Sequence, residues 1–253
     1  MTSRFDPEFY SLYRPLYPPE TFAGLESDLL KRGFSPPYQI ADIGCGTGHS
    51  TVSLLKTGIE ARVIGVDPDQ KMLDVAGIES QLGSGEKTGL ESQSIEAIIV
   101  GSAFHWMNPE KTKTEFLRIL KPRGVVRIFE YQFPKAPALP ELNEWIRCEF
   151  NLRWKAPDQK PRGSLKELTR VFRDDTRFEW IGEGQPEMKI KLNSEQLTGL
   201  ILSQSRVLHY EDTLSAEERE SFRKSLRIEI QKHLHDRSEI FDFKLSWVNF
   251  SRN

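Results

Sequence analysis

The sequence predicts an α/β fold built on a doubly wound, mostly parallel sheet. Three observations predict it. Apolar runs at residues 40–43, 63–66, 95–100 and 125–129 alternate with helical patterns, and continuous β-rich runs of this kind suit parallel strands covered on both faces. The first run leads into a helix through Gly44, Gly46 and Gly48, three glycines at alternate positions. The second run ends on a carboxylate, Asp67, 19 positions after Gly48 (67 − 48). With 253 residues, 38% of them hydrophobic and 28% charged, the chain can close one large α/β domain around a substantial core.

From the N-terminus, residues 1–6 contain no apolar stretch that could act as a signal peptide, and no later run approaches the ~18 apolar residues of a membrane span. The expectation is a soluble, cytoplasmic protein with no membrane partner. Residues 5–18 carry Phe5, Phe9, Tyr10, Tyr13 and Tyr17 around Arg14, a density of aromatics too high for a simple tail. Two readings fit: an amphipathic helix packed on a core by its rings, or a lid over a ligand, with Arg14 pairing a carboxylate. A net charge of −2 and a pI near 6.3 supply no basic field, so no nucleic-acid partner is expected. Cys45 and Cys148 lack paired metal-ligand spacing and read as free thiols, and no metal is expected.

Further along, the best helix between the central strands spans 109–120, with Asn108 as N-cap and Pro109 in the first turn. The alternation then breaks. Pro134, Pro137 and Pro140 lead into Leu142, Trp145, Ile146, Phe150 and Trp154, a helix with a wide apolar face. A basic, proline-containing segment at 155–162 and a helix at 164–173 complete an insertion after the fifth strand. Residues 188–192 alternate as a strand, 194–207 read as a helix, and Ser215-Ala216-Glu217-Glu218 is a capping box opening a long helix. The charged run at 217–232 is a solvated face, and residues 241–250 alternate again. The resulting division is an N-terminal aromatic lid at 1–34, a ligand-binding core at 35–133, a helical cap insertion at 134–176, and C-terminal strands completing the sheet, with further cap helices, at 177–253.

The glycine loop carries the chemistry. A strand becomes a helix over one tight turn, where glycine supplies backbone angles that other residues avoid and lets a ligand approach the main chain. The helix after it points its unpaired N–H groups at that ligand. The dinucleotide fingerprint fails because His49 stands where its third glycine belongs, and no Gly-Lys-Ser/Thr comes next for a phosphate loop. Asp42, just before the first glycine, would repel a pyrophosphate but suits a ligand carrying an ammonium and a sulfonium, which points to S-adenosylmethionine. Asp67, ending the second strand, is placed to accept both hydroxyls of a ribose.

These residues resemble the class I S-adenosylmethionine-dependent methyltransferases. Val63-Ile64-Gly65-Val66-Asp67-Pro68-Asp69-Gln70-Lys71-Met72-Leu73 is similar to the family's second block. Gly85-Glu86-Lys87-Thr88-Gly89-Leu90 resembles its adenine-side segment, with Gly85 in the alanine's place. Ala103-Phe104-His105-Trp106 and Tyr10-Ser11-Leu12-Tyr13-Arg14-Pro15-Leu16-Tyr17-Pro18 are similar to the type 11 small-molecule subgroup that includes trans-aconitate methyltransferase-like proteins. Leu120-Lys121-Pro122-Arg123-Gly124 resembles a family turn, with Arg123 replacing the first glycine. The likeness covers residues 10 to about 131.

The resemblance implies a Rossmann-like, seven-stranded sheet with an antiparallel last strand and a helical cap. It implies S-adenosylmethionine bound by Asp42, Gly44, Cys45, Gly46, Thr47, Gly48, Asp67, Pro68, Met72, Gly85, Glu86 and Ser102, with S-adenosylhomocysteine as product. A small, acidic metabolite would be the acceptor, held by Tyr10, Tyr13, Arg14, Tyr17, His105, Trp106, Ser203 and Ser205, in a monomer or homodimer. His105 is the catalytic candidate, although a ring that only packs explains it equally well. Ser203 and Ser205 are polar within an apolar stretch, which ligand contact and surface solvation both explain. The alternatives are a non-catalytic S-adenosylmethionine-binding protein and a methyltransferase acting on a macromolecule. A dehydrogenase is disfavoured because Pro134 breaks the Tyr131–Lys135 spacing such enzymes place on a helix. Methylation of an exocyclic amino group is disfavoured because Asn108-Pro109 is followed by Glu110-Lys111.

Overall fold

The structure, a computed structural model, describes residues 6–154 and 163–253. Phe5 and the basic segment at 155–162 lie outside the described residues. In chain order the first elements are α1 (Pro7–Tyr13), α2 (Leu25–Lys31), β1 (Tyr38–Ile43), α3 (His49–Leu55), β2 (Ala61–Asp67), α4 (Gln70–Ala76) and β3 (Ser80–Leu82). Next come β4 (Ile95–Gly101), α5 (Pro109–Ile119), β5 (Leu120–Tyr131), α6 (Pro140–Leu152), α7 (Leu165–Leu168), α8 (Arg170–Arg173) and β6 (Phe178–Gly184). The last are β7 (Lys189–Leu192), α9 (Ser194–Leu202), α10 (Ser205–Glu211), α11 (Ala216–Leu234), β8 (Glu239–Asp242) and β9 (Leu245–Arg252). They form two compact units: a sheet unit of residues 16–132, 163–187 and 245–253, and a helical unit of residues 6–15, 133–154 and 188–244.

The sheet unit is built on seven strands in the order β3-β2-β1-β4-β5-β9-β6. The first five run parallel, β9 is antiparallel to β5, and β6 is antiparallel to β9. Registers such as Ile40 opposite Val63 and Ala97 align the apolar runs, and Ile40, Ile43, Val66, Ile98, Val100, Val126 and Ile128 are buried. Burial on both faces explains why these strands read as continuous apolar runs. The strand order reverses between β1 and β4, where doubly wound sheets open a crevice at their carboxyl ends. Asn108 caps α5 by accepting from the Lys111 N–H, with Pro109 in the first turn.

Four expectations are corrected. Residues 188–192 do not join the main sheet: β7 pairs with β8 in a separate two-stranded ribbon within the helical unit. The main sheet's seventh strand is β6, an edge strand whose exposed Glu179 and Trp180 mask the apolar signal. Residues 163–176, expected in the cap, belong to the sheet unit as two short helices. Their anchor is the buried Phe172, whose ring lies 5.0 Å from Phe178 and 5.2 Å from Phe250. The helix expected at 194–207 breaks after Leu202 into α9 and α10, and the turn expected at 120–124 lies inside β5, with Arg123 left-handed at φ +68°.

In the helical unit, α1 docks on α9 through the Tyr13 ring. A Cβ at Gly199 would stand 2.1 Å from Tyr13 Cδ1, so only glycine lets the ring lie on the helix backbone. Tyr13 also donates to Glu195 Oε1. The buried Trp154 sits edge-on to Phe150, Trp145 and Phe222, and the Ser215 capping box opens α11. No described helix is long and apolar enough to cross a membrane.

A buried arginine holds the start of the sheet unit. Arg127, on β5, is fully buried and donates to Asn249 Oδ1 (2.7 Å) and to the carbonyls of Thr21 (3.0 Å) and Ala23 (3.1 Å). Its guanidinium lies 4.4 Å from the Trp247 ring centre. Burial draws its pKa down to about 10, with Asp28 opposing. Arg127→Met should strand three acceptors and lower stability by about 3 kcal/mol, a fall in Tm of roughly 6–12 °C, measurable by circular dichroism. A shift under about 2 °C would mean that water replaces the guanidinium.

Candidate functional site

The candidate site lies where the parallel neighbours β2, β1 and β4 end, at the reversal of strand order. Gly44, Gly46 and Gly48 all take left-handed backbone angles, at φ +73°, +52° and +84°, which residues with a Cβ adopt only at a cost. Space distinguishes the three. A Cβ on Gly44 would stand 2.5 Å from Ala103 Cβ, and one on Gly48 would stand 2.8 Å from the Ala76 carbonyl, whereas a Cβ on Gly46 would meet nothing within 4 Å. Gly44 and Gly48 are therefore glycines for packing, and Gly46 borders open space.

Two carboxylates hold this loop. Asp67 accepts from the Gly46 N–H at Oδ2 (2.9 Å) and from the Asp69 N–H at Oδ1 (2.9 Å), and remains only 8% exposed. Asp42, wholly buried, accepts from Ser50 Oγ (2.5 Å) and Thr51 Oγ1 (2.7 Å) at Oδ2, while its Oδ1 has no hydrogen-bond partner. Burial pushes Asp42 up to about 6, against the bonds from Ser50 and Thr51 that lower it, and the Asp67 charge adds to the rise. Burial raises Asp67 as well, opposed by its two backbone donors. An orphaned carboxylate oxygen and an open glycine face beside two acidic groups fit a ligand with positive charge and hydroxyl donors, and a polyanion would be repelled.

The remaining donor-side candidates divide into lining and support. Cys45 is buried with Sγ packed where a Gly65 Cβ would be, 2.7 Å away, and burial pushes its thiol far above the ordinary value. Thr47 Oγ1 lies 2.9 Å from His49 Nδ1. Pro68 is exposed ahead of α4, while Met72 on that helix is buried. Gly85 is buried because Met107 occupies its side-chain direction, Sδ standing 2.5 Å from where a Cβ would be. The Glu86 carboxylate accepts from the Asn108 N–H (2.6 Å). Sequence reasoning missed Met107, which also approaches within 3.2 Å of a Gly44 Cβ position. It missed Glu115 too, which accepts from the N–H and Oγ1 of Thr88 and from Arg118. No local signal marks either, since both act on segments distant in sequence.

The acceptor-side candidates fall in two places. Within the sheet unit, the 3-10 turn Phe104–Trp106 comes after β4, with the His105 and Trp106 rings 4.9 Å apart and Trp106 62% exposed. Tyr17 is buried and donates to Ser102 Oγ (3.0 Å). Within the helical unit, Arg14 lies over the Tyr10 ring at 4.9 Å and donates to the Ser203 carbonyl (2.8 Å), at the C-terminus of α9. The Ser203 hydroxyl is buried and donates to the Leu200 carbonyl, so it solvates its own helix. Ser205, half-buried, begins α10.

Residues 41–128 match the methyltransferase domain family. An uncharacterized methyltransferase of Mycobacterium tuberculosis is 34% identical over 120 residues, 46% of each chain. An uncharacterized methyltransferase of Schizosaccharomyces pombe is 30% identical over 177 residues, covering 66% of this chain and 69% of that one. The chain thus spans about half the length of the mycobacterial relatives and about two thirds of the yeast one. A solved structure from Anaeromyxobacter dehalogenans, assigned to the type II methyltransferases, has a TM-score of 0.68 at 19% identity, covering 94% of this chain and 97% of that one. That likeness is one of fold.

The raised Asp42 carboxyl makes a ligand-free test possible. Between about 3.8 and about 6 the folded chain keeps a proton that the unfolded chain has released, so stability falls as pH rises through that window and is level above it. The loss is on the order of 3 kcal/mol. Asp42→Asn cannot titrate, so the stability of the wild type relative to this variant should decline across the window in urea titrations. A constant difference from pH 4 to pH 7 would show an unshifted Asp42.

Proposed function

This chain belongs to the methyltransferase domain family, and from that premise we propose that it is an S-adenosylmethionine-dependent methyltransferase acting on a small, acidic acceptor. The observation that carries the donor assignment is the acidic glycine loop: Asp67 bonded to the Gly46 N–H beside the open face of Gly46, with the buried Asp42 carboxylate, its Oδ1 unpartnered, on the strand leading into the loop. S-adenosylmethionine supplies a methyl group on a sulfonium, open to in-line displacement by a nucleophile. The task left to the chain is to bind, orient and exclude water.

Asp67 keeps acceptor capacity beyond its two backbone donors and takes the ribose hydroxyls. Gly46 lets the ligand lie against the main chain, and Asp42 supplies negative potential under its cationic end. Met107, packed over Gly85, walls the adenine side. His105, on the turn after β4, accepts a proton from an acceptor that must lose one. The acidic acceptor is supported by Arg14, a guanidinium presented over Tyr10 whose planar fork suits a carboxylate, and by the lack of a net basic charge suited to nucleic acid.

Calorimetry should show S-adenosylmethionine binding and no binding of nicotinamide nucleotides; the reverse preference would defeat the donor assignment. Asp67→Asn removes a charge from bonds worth roughly 1.5–3 kcal/mol each, so it should weaken donor affinity at least tenfold, and an unchanged Kd would make Asp67 a loop support only. For the acceptor, methyl-labelled donor incubated with a metabolite extract should label a small carboxylic acid. Arg14→Ala should then raise KM for that acid with little change in donor affinity. Label appearing only in protein or RNA would overturn the small-acceptor reading.

A further inference from the structure

We propose that Tyr17 is a positioning residue for the turn after β4, holding Ser102 in its left-handed backbone conformation through the phenolic hydroxyl. Ser102 has φ +50° without being glycine, a conformation that is costly for a residue with a Cβ and persists only where its surroundings enforce it. Two bonds enforce it here. The Ser102 N–H donates to the Phe129 carbonyl (2.8 Å) and continues the β4–β5 ladder by one residue. Its Oγ accepts from the Tyr17 hydroxyl (3.0 Å).

Tyr17 is itself held firmly enough to act as a clamp. Its ring meets Phe129 edge-on at 4.7 Å and Tyr131 at 5.6 Å. Its N–H donates to Ser53 Oγ (2.9 Å), and Ser53 donates to the His49 carbonyl (2.7 Å) in the first turn of α3. One residue thereby links the helix behind the glycine loop, strand β5 and the end of β4. The Ser102 angle directs the chain beyond it: Ala103 lies against Gly44, Phe104 enters the core, and His105 and the exposed Trp106 come next on the 3-10 turn. Tyr17, expected to touch an acceptor, acts instead through Ser102.

The inference rests on the donor assignment only where donor affinity is read, so its test has a readout without ligand. Tyr17→Phe keeps the ring and removes the hydroxyl. It should move the Trp106 indole N–H resonance, assigned with Trp106→Phe, in the ligand-free protein. It should also weaken S-adenosylhomocysteine binding about three- to tenfold, the range expected for one lost hydrogen bond. In a Ser102→Gly background, where the left-handed angle needs no clamp, the same Tyr17 change should have less than a twofold effect and leave the Trp106 resonance in place. An unmoved Trp106 resonance in Tyr17→Phe, or a Tyr17 effect of equal size in the wild-type and Ser102→Gly backgrounds, would overturn the clamp. Failure of the wild type to bind S-adenosylhomocysteine would overturn the donor assignment instead, and the Trp106 comparison would still decide the clamp.

Discussion

The bond from the Gly46 N–H to the Asp67 carboxylate is the constraint on which the crevice depends. It fastens the loop leaving β1 to the end of β2, and the same carboxylate accepts from Asp69 at the start of α4. Asp42 does the equivalent for α3, accepting from Ser50 and Thr51 in its first turn. Negative charge beside helix N-termini is favourable, yet two carboxylates withdrawn from water this close to one another are not. Both are raised by burial, and the Asp67 charge raises Asp42 further. The chain thus keeps a negative crevice at some cost in stability, which a ligand of opposite charge would relieve.

The segment between residues 16 and 24 is tied at both ends to the strands beneath it. Tyr17 is bonded to Ser53 and Ser102, and the carbonyls of Thr21 and Ala23 are held by Arg127. A buried guanidinium facing carbonyls and Asn249, with Asp28 acting through Asn249 Nδ2, is well placed as a clamp because its planar fork reaches several acceptors at once. The stretch that begins as an aromatic-rich tail in the sequence is, from Tyr17 onward, part of the sheet unit's wall.

The helical unit obeys a different logic, with rings and small residues setting its contacts. Gly199, a poor helix former in mid-helix, is explained by the Tyr13 ring lying on it. Arg14 sits where a cation is favoured, on the carbonyl that ends α9. The aromatic reading of α1 as a packed helix and the reading of Arg14 as an anion partner are therefore compatible: the rings anchor the helix and the guanidinium carries its charge.

What the sequence by itself determined is what depends on neighbours along the chain. The three glycines, the carboxylate ending β2, the Asn108 and Ser215 caps and the parallel core strands are local patterns of backbone angle, capping and periodicity, and each is present in the structure. What only the tertiary structure decided depends on residues far apart. The seventh strand is β6 rather than 189–192, because Phe172 and Phe178 close the core over Phe250 and leave β6 a one-sided edge. Met107 belongs with Gly85, Glu115 with Thr88, Arg127 with Thr21, and Tyr17 with Ser102. None of these pairs has a spacing or period that a linear reading could detect, because each joins segments far apart in the sequence that meet only once the sheet has formed.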